Sequence, residues 1–127
     1  MLDTTHQTKA QRVLDALNQG LDRADFQGVA DLFQDDCYWR DLVSLTWNIR
    51  TMEGKAQILD MLKSQAAVIA PTGFALDPQE VVTADGDLLT AWITFETKVG
   101  RGYGLARINA GKIWTLLTSL VELNGHE

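Results

Sequence analysis

A thiol, an indole and a carboxylate share one side of a short alternating run. Read as a strand, CYWRDLV places Cys37, Trp39, Asp41 and Val43 on one face and Tyr38, Arg40 and Leu42 on the other. A carboxylate beside an indole in an apolar enclosure loses solvation, which moves its pKa up toward the range of a general base. Asp41 is therefore the candidate catalytic residue. The competing reading pairs Asp41 with Arg40 or Arg50 and leaves it to hold the strand end. Trp39, Trp47, Trp92 and Trp114 are the chain's four tryptophans. They suit either an aromatic lining for a flat, apolar ligand or packing in a core and an interface. Arg40, Arg50 and Arg107 offer forks for a ligand carboxylate or surface pairing. The ligand-binding candidates are Trp39, Trp47, Arg50, Trp92 and Trp114, with Trp39 on the Asp41 side of its strand.

Other chemistries find little support. The two histidines, His6 and His126, lie near the chain ends, which argues against a histidine base in a central cavity. With one cysteine and no clustered ligand spacing, no metal site is expected. Cys37 reads as a small buried hydrophobe, and a lone cysteine forms no internal disulfide. GRGYG, Gly100 to Gly104, lies between strands and lacks the strand-to-helix setting of a phosphate loop. A net charge of −6, from 11 basic and 17 acidic residues, disfavours a phosphate-backbone partner. No stretch is apolar over the ~18–20 residues that span a bilayer, and the N-terminus lacks the order of a signal peptide. The expectation is a cytoplasmic protein with no nucleic-acid or membrane partner. At 127 residues, 46% hydrophobic and 22% charged, the chain suits one domain over 1–127.

These candidates need elements to position them. Ala10, Val13, Leu14, Leu17 and Leu21 follow helical spacing, with Gly20 at the expected stop. Asp25 reads as the N-cap of a second helix whose stripe is Phe26, Val29, Ala30 and Phe33, with Asp35 and Asp36 in the turn beyond it. CYWRDLV and LTWNIRTME read as extended. A third helix follows Gly54, with Ile58, Leu59, Leu62, Ala66 and Ile69 as its stripe and Pro71 as terminator. The second half reads as an antiparallel meander. Its strands are Phe74 to Thr83, Leu88 to Val99, Tyr103 to Asn109 and Ile113 to Leu123, with turns at Ala84 to Asp87, Gly100 to Gly102 and Ala110–Gly111. IWTLLTSLVEL is apolar on both faces, which predicts a homodimer through the outer face of the sheet. The order is that of an α+β fold.

This order, with the run DLFQDDCYWRDLV…TMEGKAQILDML, resembles the nuclear transport factor two-like superfamily, which includes SnoaL-like cyclases and ketosteroid isomerases. The resemblance implies a cone-shaped fold, three helices on a strongly curved, mostly antiparallel sheet, a pocket inside the cone and frequent dimerisation. A narrower likeness runs through CYWRDLVSLTWNIRT, GKIWTLLTSL and LNGHE. These resemble the domain that precedes the flavin-binding part of some flavoprotein monooxygenases. No G-x-G-x-x-G occurs in the chain, so no cofactor is assigned. In ketosteroid isomerases the general base follows an Asp-Asp pair by five residues, the spacing of Asp36 and Asp41. Their oxyanion donors would fall by rough alignment near Leu17 and at Gly104, which supply none, so steroid isomerisation is not expected. The resulting expectation is a protein that binds a small apolar or aromatic molecule, with isomerase, cyclase or dehydratase chemistry at Asp41. The alternative is a non-catalytic accessory or dimerisation domain.

Overall fold

The computed structural model describes residues 5–42, 49–98 and 100–123. Helix α1 spans Thr5–Asp22 and buries Ala10, Val13, Leu14 and Leu17, the expected stripe. It runs past Gly20, which was expected to stop it. A Cβ at Gly20 would lie 2.6 Å from the Val29 side chain, so this glycine serves the close approach of the next helix. The chain leaves α1 through Ala24, which takes a positive φ of 54°. Asp25 then caps helix α2, Phe26–Ala30, by accepting a hydrogen bond from the Gly28 amide at 3.1 Å.

Strand β1, Phe33–Leu42, begins where the helical stripe was expected to continue. Phe33 pairs with Ile113, and the Ile113 amide donates to the Leu32 carbonyl at 2.8 Å. Strand pairing thus overrides the helical spacing of the sequence. Asp35 and Asp36, expected in a turn, are exposed within β1, where its register against the last strand shifts between Phe33 and Tyr38. Asp35 meets Lys55 across 3.3 Å. Beyond the shift the expected alternation holds: Cys37, Trp39 and Asp41 are buried, Tyr38 and Arg40 exposed.

Strand β2, Ile49–Glu53, pairs antiparallel with β1 and leads into helix α3, Gly54–Ile69. The Gln57 side chain accepts from the Glu53 amide at 2.9 Å and ties the end of β2 to the first turn of α3, and Ile58, Met61 and Leu62 are buried. The strand expected over Phe74 to Thr83 is two strands, β3 at Thr72–Leu76 and β4 at Thr83–Asp85. Between them Asp77 accepts from the Gln79 amide at 2.9 Å, an Asx turn around Pro78, which has no amide to extend a ladder.

Strands β5 (Leu88–Glu96), β6 (Gly100–Asn109) and β7 (Lys112–Leu123) form the meander. The turn expected at Gly100 to Gly102 lies earlier, since Thr97 bonds the Gly100 carbonyl at 2.8 Å and β6 starts at Gly100. Gly102 has a different task. It faces Phe95 across the ladder, and the Phe95 ring occupies the place a Cβ would need. That ring stacks on Phe74 with centroids 4.8 Å apart.

The sheet order is β2-β1-β7-β6-β5-β3, with β4 also on β5, and among the described strands only β1–β7 is parallel. Contacts put α3 on β1 and β2, α1 on β3 and β5, and α2 against both helices. This is an α+β cone fold with its core between helices and sheet. Helix α1 also completes the β3 edge. Asn18 donates to the Phe74 carbonyl at 2.9 Å and accepts from its amide at 2.8 Å, while Gln11 accepts from the Leu76 amide at 3.3 Å. Backbone groups that would otherwise invite another strand are thereby satisfied.

Candidate functional site

Sheet register builds the site. Parallel pairing sets Asp41 of β1 beside Thr118 of β7, with Trp39 one pleat back beside Leu116. Trp39, Asp41 and Thr118 are all fully buried. Phe33 stacks on Trp39 at 5.8 Å and fixes the indole. The Trp39 Nε1–H donates to Thr118 Oγ1 at 3.0 Å, and the Thr118 hydroxyl donates to Asp41 Oδ1 at 2.6 Å.

The direction of this relay follows from the donor inventory. An indole nitrogen only donates, so Thr118 must accept from it. The hydroxyl has one proton, which then goes to Asp41. Asp41 Oδ1 is thus held as an acceptor by a charge-assisted bond when the carboxylate is ionised. A hydroxyl polarised by an indole on one side supports a buried negative charge on the other. Chemically, the Asp41 carboxylate can orient a ligand donor or take up a proton.

The other candidates distribute differently. Arg50 is the antiparallel register partner of Asp41 by its backbone, while its side chain and Trp47 lie outside what is described. Arg40 alternates to the opposite face and is exposed, as is Arg107 between buried Ala106 and Ile108. Arg40 is therefore not the ion-pair partner considered for Asp41. Trp92 stands on the outer face, 39% exposed, stacked on Tyr103 at 5.5 Å. It is therefore on the opposite side of the sheet from Asp41. Trp114 is half-buried in β7, where the register against β6 shifts between Ile113 and Thr115. Of the tryptophans described, Trp39 is the one that joins Asp41.

Cys37 and Tyr103 are among the groups whose titration is shifted. Burial pushes the Cys37 thiol above its ordinary range against the opposing pull of the Lys55 charge, as suits a buried hydrophobe and not a nucleophile. On the outer face the Tyr103 hydroxyl donates to Asp77 Oδ2 at 2.8 Å, and that bond, with partial desolvation, pushes its pKa up to about 12. Among the described residues no three His, Cys, Asp or Glu side chains gather to hold a metal, and no helix is long and apolar enough to cross a membrane.

Thr118 was missed from sequence. No local signal marks it, because its role comes from a strand pairing 77 residues from Asp41.

The sequence profile of the SnoaL-like domain matches residues 10–116. This chain belongs to the SnoaL-like family. The family match takes in Trp39 and Asp41 and ends just before Thr118. Similar solved structures agree on the fold. An NTF2-like protein with a cystatin-like fold from Novosphingobium aromaticivorans superposes with a TM-score of 0.70 at 18% identity, over 92% of this chain and 82% of the other. A ketosteroid isomerase-like protein from Erwinia carotovora atroseptica gives 0.72 at 13%, over 94% and 99%. A computationally designed 17-OHP binder gives 0.63 at 18%, over 91% and 92%. Among curated proteins, none matches this SnoaL-like chain at a significant level.

Proposed function

We propose that this protein binds a small apolar or aromatic molecule on the helix-facing side of its sheet, with Asp41 orienting the ligand or accepting a proton from it. The observation that carries this reading is the buried Trp39–Thr118–Asp41 relay. A fully buried carboxylate accepts a hydrogen bond from Thr118 beside a buried indole. Burying such a group costs several kcal/mol unless its bonds are met, on the order given for buried ions. A polar anchor within an apolar lining is the usual make-up of a small-molecule site. The likeness to a ketosteroid isomerase-like protein and to a designed 17-OHP binder supports small-molecule binding by this fold.

The test uses 15N-labelled protein and two neutral probes, 17-OHP and 2-naphthol. Saturable shifts of the Trp39 indole N–H and the Thr118 amide are expected, and Asp41→Asn should weaken them. A titration with either probe that leaves both signals in place in the wild type rejects the reading. A base role is separately rejected if Asp41→Asn turns over an identified substrate at the wild-type rate.

The same reading includes a homodimer through the outer face, supported by the exposed, stacked Trp92–Tyr103 pair. Light scattering should give twice the 14.1 kDa chain mass at micromolar concentration. A pure dimer with no probe binding would favour the accessory-domain alternative.

A further inference from the structure

Far from Asp41, helix α1 and two hairpin tips enclose a cleft of about 490 Å³. This falls within the roughly 300–1,000 Å³ of small-molecule pockets. Its floor is apolar, built from Val13, Leu89 and Ile108, each less than a tenth exposed. Its rim is cationic: His6, Lys9 and Arg12 rise from α1 at successive three-residue steps. Asp87, at the opposite hairpin tip, is the one acidic residue among the described lining.

Three features separate this rim from ordinary surface charge. The protein carries a net charge of −6, yet here two permanent cations and a histidine stand against a single carboxylate. Lys9 and Arg12 make no ion pair or hydrogen bond among the described residues. Among the described residues His6 Nδ1 is buried without a hydrogen-bond partner, a state rare for a buried polar atom. Cations beside an apolar floor match an ion with a charged head and an apolar body.

We propose that this cleft is a second binding site, taking a small amphipathic carboxylate whose anionic head meets Lys9 and Arg12 and whose body lies on Val13, Leu89 and Ile108. The site is independent of the Asp41 reading. Strand β6 carries Ile108 at the cleft and Gly104 beside Thr118, positions about 13 Å apart at the usual strand rise. His6 and Lys9 also precede the residues that match the SnoaL-like family.

The experiment titrates the full 15N-labelled chain with 2-naphthoate and decanoate, and with neutral 2-naphthamide as control. Saturable shifts at the Val13, Leu89 and Ile108 amides are expected for at least one acid. Binding of 2-naphthamide should be at least about tenfold weaker than that of 2-naphthoate, as loss of a charge-assisted contact implies. The Lys9→Gln/Arg12→Gln double variant should weaken acid binding by a similar factor, while Lys9→Arg/Arg12→Lys keeps it within about threefold. The proposal is overturned if neither acid shifts the three amides, if the shifts fall at Trp39 and Thr118 instead, or if the neutral amide binds as tightly as its acid. The acid–amide comparison uses wild-type protein, so it decides the matter even if a variant misfolds.

Discussion

The two ends of the helix-facing side of the sheet treat polar groups in opposite ways. At the β1–β7 end, Trp39, Thr118 and Asp41 are fully buried and bonded to one another. At the hairpin end, Lys9 and Arg12 are exposed over an apolar floor and bond to nothing described. In the first arrangement the protein's own groups bond one another, so its members are tied to folding. The second is left open, so its members are free to change without loss of structure. A polar group therefore reports on function differently at each end: by what it holds in place, or by what it leaves unmet.

Substitutions should expose this contrast most strongly at Trp39. Trp39→Ala removes a stacked, buried ring and the donor to Thr118, and should cost about 3–5 kcal/mol in urea unfolding. Thr118→Val comes next. It keeps the shape but strands the indole N–H and removes the donor to Asp41, for about 2–3 kcal/mol. Thr118→Ser restores the hydroxyl and should recover most of that loss. If Thr118→Val is as stable as wild type, the relay has no structural weight and the contrast fails.

Tyr103 offers an intermediate case, a satisfied bond at the half-exposed outer face. Its pKa rises from 10.0 to about 12 through the bond to Asp77. A raised pKa means that the folded state holds the proton longer than the unfolded one. The stabilisation is complete below pH 10, declines as pH climbs from 10 toward 12, and is gone above. Tyr103→Phe should lack that decline, seen as a flatter difference in unfolding midpoint over the same window. The smallest effect belongs to the open rim. Lys9→Gln/Arg12→Gln should alter stability by no more than about 0.5 kcal/mol, as for exposed sites. A larger loss would show that these cations hold the fold together, and the two ends would no longer differ.

What the sequence disclosed follows the range of the interactions concerned. The buried side of β1, Cys37, Trp39 and Asp41, was legible because strand alternation is local. The stripe of α1 was legible for the same reason, at the helical period. Phe33 misled, since its spacing from Phe26 is helical while its backbone is claimed by Ile113, far along the chain. Gly20 and Gly102 looked like punctuation, yet each makes room for a neighbour, Val29 or Phe95, that only the folded packing brings there. His6 was judged by its nearness to the chain end, which hid its place on the first turn of α1 and at a cleft. Thr118 had no local mark at all.

The parallel ladder between β1 and β7 has a consequence for how the chain is made. Strand β1 emerges from the ribosome early, but the strand that completes its second side comes last, after β2 to β6 have all been synthesised. Closing a loop of 77 residues is entropically slow compared with zipping the neighbouring hairpins. Nascent chains should therefore pass through a stage in which the meander is assembled while the flank of β1 still lies bare. At that stage the Asp41 carboxylate waits in water, and only the final docking of β7 draws it indoors.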